Sequence, residues 1–397
     1  MTSIRRVLVA GIWDEGPGYP RTDSLIQAIQ SAGIEVRCCR VDPPKLGGSK
    51  TSLIAKPWRW PGYLWRSRAV KAELRAAVKT ELRDFEPDLV LVPYPGHLAV
   101  RWIRSLCTQP IWLDLFLSAW STTVDDRQLF SPGSPAAKAL ASLDRRACRA
   151  ADRVLLDTRA HALDVATRTG LDPSRFGYVQ ISDPAAPTPV PMPQKSSGDG
   201  RDSTLRCVFF GTGVPLHGLP VWVDVMASME NVHWTVFGGD PHSRAAARDR
   251  LGDRLDLRAE FAPMDEIREA IDASHLVCGA VGTSNKAQKV VPFKVVHGMA
   301  HGRLVLTGDN SSVREMLEPG SDCLTAPPGD VERLQSALGF AASLGREELQ
   351  RFGDAARRRY DNGFAIPAVR RAFERELEFA GFEVSRPEGT RAVEMNA

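Results

Sequence analysis

Lys286, Lys289 and Lys294 stand close together in residues 277–315, VCGAVGTSNKAQKVVPFKVVHGMAHGRLVLTGDNSSVRE. Fixed cations gathered in this way suit a phosphate-bearing ligand, because they neutralise charge that water would otherwise have to solvate. A solvated basic loop is the plain alternative. Lys294 favours the ligand reading. It follows Pro292 on the first turn of a helix, where a cation opposes the helix dipole and needs another reason to be present. Gly211, Thr212 and Gly213 follow the apolar run LRCVFF. Glycines at such a place let the backbone approach a ligand closely. His217 comes next, as a ligand contact or as part of a helix start. Among the remaining candidates, His97 and Asp114 end apolar runs, PYPGH and WLD, and either would handle a proton or bind a hydroxyl. Ser118 follows Asp114, and Arg21 follows the first apolar run. The plain alternative for each of these is a helix cap or half of an ion pair.

The elements around these residues repeat one unit. LVCGAV reads as a strand, Pro292 opens a helix that Gly302 closes, RLVLTGD is the next strand, and Asn310-Ser311-Ser312 caps another helix. Strand and helix alternation of this kind builds a parallel α/β sheet, whose ligands sit at the carboxyl ends of the strands. The same alternation runs through the first half: RRVLVAGIW, IEVRCCRV, DLVLVPYPG, PIWLDLF and DRVLLDT are strands, with helices such as PRTDSLIQAIQSAG and SPAAKALASLDRRACRAA between them. The pattern breaks at SDPAAPTPVPMPQKSSGDGRDS, which is rich in Pro, Ser and Gly and has no periodicity. A second series starts at LRCVFFGTG and continues through VHWTVFGGD, HLVCGAV, RLVLTGD and DCLTAPP. The predicted organisation is a first doubly wound domain over 1–181, a linker over 182–204, a second over 205–368, and a helix with a disordered tail over 369–397. Two such domains face each other across a cleft, a common place for a small molecule.

The composition sets the outer limits. The chain has 397 residues, 43% apolar and 25% charged, which is globular and large enough for two cores. A net charge of +3 gives no footprint for nucleic acid. The seven cysteines form no C-x-x-C pair and read as reduced, buried thiols, so a structural zinc is not expected. Asp125-Asp126 resembles a metal-binding acidic pair, but beside Arg127 it reads as a salt-bridge element at the surface or the edge of the cleft, and no metal site is expected. No run is long enough to span a bilayer. Residues 45–71 interleave Lys50, Lys56, Arg59, Arg66 and Arg68 with Trp58, Trp60, Tyr63 and Trp65, and carry no acid. That mixture suits contact with anionic lipid, or else a packed loop beside the first domain. The expected location is cytoplasmic, with peripheral contact at the inner face of the membrane through 45–71 as its variant.

Taken in order, the pieces resemble bacterial GT-B glycosyltransferases of the family 4 type over nearly the whole chain. They are Tyr19-Pro20-Arg21, PDLVLVPYPGH at 87–97, WLDLFLSAWSTTVDDR at 112–127, LLDTRAHA at 155–162, FFGTGVPLHG at 209–218, the lysine block at 286–315, and PPGD at 327–330. The resemblance implies two Rossmann-like domains, a nucleotide-diphosphate sugar donor such as a UDP- or GDP-sugar, and no other cofactor. It implies retention of anomeric configuration and no divalent metal. The C-terminal half would bind the donor through Gly211, Thr212, Gly213, His217, Lys286, Lys289, Lys294, His297, Ser311 and Glu315. The N-terminal half would bind the acceptor through Arg21, Asp114 and Ser118, with Asp114, His97 and Lys294 as catalytic candidates. One departure stands out. The family's Glu-x7-Glu pattern falls on Lys289 and His297, so both carboxylates are missing. A histidine can still hydrogen-bond a ribose hydroxyl. The acceptor would be a glycan or a lipid-linked glycan. The alternatives are a secondary-metabolite tailoring enzyme with a small soluble acceptor, and a catalytically silent relative that binds a nucleotide sugar.

Overall fold

A computed structural model describes residues 2–16, 18–43, 60–195 and 204–384. The chain folds into two six-stranded sheets, each parallel throughout. The first lays its strands side by side in the order Glu35–Arg40, Arg6–Gly11, Leu89–Val92, Ile111–Asp114, Arg153–Leu156, Phe176–Tyr178. The second has the order Leu255–Leu257, Val232–Gly238, Leu205–Gly211, Leu276–Cys278, Leu304–Gly308, Leu324–Ala326. Every strand expected from the apolar runs is present. They are continuous in Val, Leu and Ile because both sheet faces are covered: Val7 to Ala10 and Leu89 to Val92 are all fully buried.

The two sheets differ in winding. Counted along the chain, the second has the dinucleotide-fold order 3-2-1-4-5-6, while the first runs 2-1-3-4-5-6. In both, the direction of winding reverses once, and the reversal opens a crevice at the carboxyl ends of the flanking strands. In the second sheet it lies between Leu205–Gly211 and Leu276–Cys278, so Gly211 and the loop after Cys278 border it.

Local signals set the helices. Ser134 accepts from Ala137 N–H and Pro135 occupies the first turn of helix Pro135–Ala150. Asn310 accepts from Val313 N–H and opens Ser311–Met316. Pro292 precedes helix Phe293–Ala300, and Gly302 leaves it with φ +64°. Helix Ile366–Phe379 returns to the first domain. Val369, Ala372, Phe373 and Leu377 pack with Leu25 and Ile29 of helix Pro20–Ser31, and Phe373 meets the Trp112 ring at 5.3 Å between centroids. Strand Phe382–Val384 then pairs in parallel with Thr2–Ile4.

Helix Trp60–Asp84 covers the end of the basic, tryptophan-bearing stretch. The expectations for 44–59, for 196–203 of the linker and for the tail from Ser385 lie outside the described residues. Among the described residues no helix is long and apolar enough to cross a membrane.

Candidate functional site

The crevice of the second sheet gathers Gly211, His217 and Lys294. Gly211 ends its strand with φ +158°. A Cβ added there would stand 2.5 Å from His217 Nδ1 and 3.2 Å from Lys294 Nζ, so both side chains close over the bare glycine backbone. Lys294 reaches this point from the first turn of its helix. Its Nζ lies 3.7 Å from the centroid of the Phe209 ring, and the residue is 4% exposed. Neither Lys294 Nζ nor His217 Nδ1 has a hydrogen-bond partner, although both atoms are buried. Burial pushes the Lys294 ammonium down to about 7. Burial, then the Lys294 and Lys286 charges, hold His217 well below the usual imidazole range. The neighbouring turn is equally tight: Gly213 has φ +70°, and a Cβ there would meet Asp240 N at 2.5 Å. Thr212, between them, is exposed.

The three lysines are therefore not equivalent. Lys286 is 5% exposed and donates from Nζ to Thr122 Oγ1 of the first domain at 3.0 Å. Burial lowers its pKa, against the opposing pull of Asp126 and Asp157. Lys289 pairs with Asp164, again across the domains, while its carbonyl accepts from Thr158 Oγ1 at 2.6 Å. Glu315 Oε1 accepts from Arg159 N–H at 3.1 Å, and Ser311 Oγ donates to Gln288 O at 2.9 Å. Arg314, next to Glu315 in the chain, pairs with Asp309. In this arrangement Lys286, Lys289 and Glu315 join the domains, and of the three lysines Lys294 alone has no hydrogen-bond or ion-pair partner among the described residues.

Other expectations need correction. His297 is 0% exposed, its Nδ1 2.7 Å from Asp183 Oδ2 and its ring against Phe293 and Phe210. It does not present a nitrogen to the crevice. Arg21 lies in the first turn of helix Pro20–Ser31 and is buried. Its guanidinium donates to both Asp114 carboxylate oxygens, from Nη2 to Oδ1 at 2.7 Å, and also to the carbonyls of Val179, Gln180 and Leu156. Asp114 is 0% exposed. Burial raises its pKa against the pull of Arg21. The two residues staple the sheet to the first helix and are closed to an acceptor. Asp126 is not at the surface: it is 1% exposed and accepts from Ser284 Oγ of the second domain at 2.9 Å.

His97 and Ser118 do converge, on a residue the sequence reading passed over. His97 Nε2 is 3.1 Å from Asp144 Oδ1, and Ser118 Oγ donates to Asp144 Oδ2 at 2.7 Å. Ala119 and Trp120 N–H also donate to Asp144, which fixes the loop after strand Ile111–Asp114. Burial pushes the Asp144 carboxyl up, but His97 and these donors outweigh it and the pKa is lowered. A signal for Asp144 was present. On helix Pro135–Ala150 it shares the buried stripe with Ala137, Ala147 and Cys148, where an acid is out of pattern.

The comparisons with known proteins agree with this architecture. The model of the glycosyl transferase 4-like domain matches residues 6–180, and that of the glycosyl transferases group 1 matches residues 205–342. No curated relative matches by sequence. Among solved structures, sucrose-phosphate synthase from Thermosynechococcus elongatus is 13% identical with a TM-score of 0.65, over 95% of this chain and 100% of that one. HepE from Anabaena, in complex with UDP and glucose, is 12% identical with a TM-score of 0.60, over 94% and 99%. The lipopolysaccharide outer core galactosyltransferase WaaB, in its apo form, is 13% identical with a TM-score of 0.60, over 94% and 99%. At these identities the likeness is one of fold. The two family models lie end to end, one on each sheet, and the chain belongs to the group 1 glycosyltransferases of GT-B fold.

Proposed function

We propose that the protein transfers a sugar from a nucleotide-diphosphate sugar to an acceptor, with the donor's diphosphate seated over Gly211 between His217 and Lys294. The observation that carries this reading is the buried, unpartnered Lys294 Nζ at the sheet's crevice. A cation without a counter-ion is costly to bury, and an arriving diphosphate removes the cost. The leaving diphosphate gains negative charge as the glycosidic bond breaks, so Lys294 stabilises the transition state more than the bound substrate. No metal is needed for that step. The HepE structure with UDP and glucose supports a UDP-sugar as the first donor to try.

The N-terminal domain, 1–181, then binds the acceptor and the C-terminal domain, 205–368, the donor. The His97–Ser118–Asp144 group lies at the ends of the first-domain strands and orders the loop over which an acceptor hydroxyl would approach. Transfer proceeds with retention, and the leaving phosphate oxygen takes the acceptor's proton, which removes the need for Asp114 as a base. The acceptor is a glycan, lipid-linked or free.

The test is a thermal-shift screen with UDP, GDP, ADP, CMP and dTDP. A diphosphate at a hundredfold excess over its Kd stabilises the fold by about 2.7 kcal/mol. The expected result is a rise with one nucleoside diphosphate that Lys294→Ala removes while the far-UV circular dichroism stays unchanged. No rise with any of them would overturn the diphosphate seat at Gly211, His217 and Lys294.

A further inference from the structure

We propose that Asp183, His297 and His301 form a site for a divalent metal ion of the zinc type, where the chain leaves the first domain. His297 and His301 are one turn apart, on helix Phe293–Ala300 and at its C-cap. Asp183 comes from the segment after the last strand of the first sheet. All three are buried, at 2%, 0% and 0% exposure for Asp183, His297 and His301. One ligand atom from each lies within 4.8 Å of the others.

The hydrogen bonding leaves these atoms spare. Asp183 Oδ1 accepts from Arg268 Nη2 at 3.2 Å and from Ala185 N–H at 3.1 Å, while Oδ2 has no hydrogen-bond partner. His301 Nδ1 is held by Asp272 Oδ1 at 2.8 Å, while its Nε2 has none. His297 Nδ1 approaches Asp183 Oδ2 to 2.7 Å without the alignment of a hydrogen bond, and its Nε2 is also without a partner. Buried polar atoms left unsatisfied are costly and call for an explanation. A single cation satisfies one atom on each residue together.

The chemistry of the set narrows the ion. Two imidazoles and one carboxylate suit zinc or another late first-row divalent metal, whereas magnesium and calcium want oxygen ligands. Asp272 holds His301 Nδ1 as an outer carboxylate holds a metal-bound imidazole, which leaves the unpartnered Nε2 as the nitrogen to ligate. Arg268 and Arg303, the latter 3.7 Å from Asp272 Oδ1, already offset the two carboxylates. The ion's charge is therefore stabilised mainly by direct ligation, which again favours imidazole-seeking metals. Tetrahedral ligation at zinc distances sets ligand atoms about 3.3 Å apart. Asp183 and His297 need to separate only slightly from their 2.7 Å approach. An ion here ties the start of the interdomain linker to the helix that carries Lys294. Its role is structural and leaves the transfer chemistry metal-free.

The test uses the full chain, purified without a histidine tag, stripped with a chelator and titrated with zinc against a chromophoric competitor. The expected result is one zinc per chain, and with cobalt(II) the visible absorption of a tetrahedral site. Asp272→Asn is expected to weaken zinc binding about 10- to 100-fold, and His301→Gln to abolish it with circular dichroism unchanged. Failure of the wild-type chain to take stoichiometric zinc would overturn the site and leave a buried His–Asp ion pair. Unchanged affinity in His301→Gln would place the metal elsewhere and overturn it equally. If His301→Gln does not fold, the Asp272→Asn affinity and the cobalt spectrum decide, and neither depends on transferase activity.

Discussion

At the scale of single residues, burial separates side chains that look alike in the sequence. Lys294 is held at about 7 by burial, against an ordinary 10.5 in the unfolded chain. Between those values the unfolded state binds more protons than the folded one, so this residue makes stability rise with pH. Below about 7 both states carry the proton and the folded state bears the full penalty. Lys294→Met removes the charge and keeps the stem. Its stability advantage over the wild-type chain is expected to be largest below pH 7 and to fade towards pH 10.5, as urea denaturation across pH will show. An advantage that does not change with pH would mean Lys294 is not the buried cation described. Arg21 and Asp114 behave differently, because each neutralises the other. Asp114→Ala strands a buried guanidinium and is expected to cost about 3–5 kcal/mol. The same denaturation experiment measures that loss. The surviving folded fraction should keep its turnover per molecule, since Asp114 does not reach the crevice. A specific loss of turnover with stability intact would return Asp114 to the catalytic set.

At the scale of elements, the site depends on where strands stop and helices begin. Strand Leu205–Gly211 ends on a residue with positive φ and no side chain, and that bare position receives His217 and Lys294. Gly211→Ala puts a methyl group 2.5 Å from His217 Nδ1, so the ring and the lysine have to move. The expected outcome is loss of the nucleotide-dependent thermal shift, at a stability cost of about 1–3 kcal/mol for the strained backbone. A retained shift in Gly211→Ala would show that the ligand sits elsewhere. Helix Phe293–Ala300 joins two functions: its first turn delivers Lys294 and its last turn delivers His297 and His301 to Asp183. Within this packing His297 faces the start of the linker, at Asp183, rather than the crevice.

At the scale of the whole molecule, the two domains are held by a few polar contacts near the crevice and by one large apolar return. The polar set includes Lys286 on Thr122, Lys289 on Asp164, Ser284 on Asp126, Thr158 on the Lys289 carbonyl and on Ser312, and Glu315 on the start of helix Arg159–Thr169. Lys286 and Asp126 are buried in these contacts, while the Lys289–Asp164 pair is partly exposed. The return is helix Ile366–Phe379, seated on the first domain through Phe373 and its neighbours. Phe373 is fully buried, so Phe373→Ala is expected to cost about 3–5 kcal/mol and to lower the melting temperature of the first domain's core. Differential scanning calorimetry checks this. A change within measurement error would mean the helix is not integral to that core.

The alternation of apolar runs and capped helices was enough to read two parallel α/β halves. Buried parallel strands must be nearly all Val, Leu and Ile, and Ser134, Pro292 and Asn310 mark helix starts by chemistry that is local in the chain. The cluster at Gly211, His217 and Lys294 was legible for the same reason: strand ends and helix starts are local, and the fold brings them to one crevice. The partners of side chains were not legible, because they come from distant positions. Nothing near Arg21 in sequence shows that Asp114 neutralises it, nor near Lys289 that Asp164 does. The buried stripe of helix Pro135–Ala150 marked Asp144 as odd, but only packing set it against His97 and Ser118. Tertiary structure also decided which of three lysines stays unpartnered, since charge pairing depends on a few ångströms of separation, and sequence order does not encode that distance.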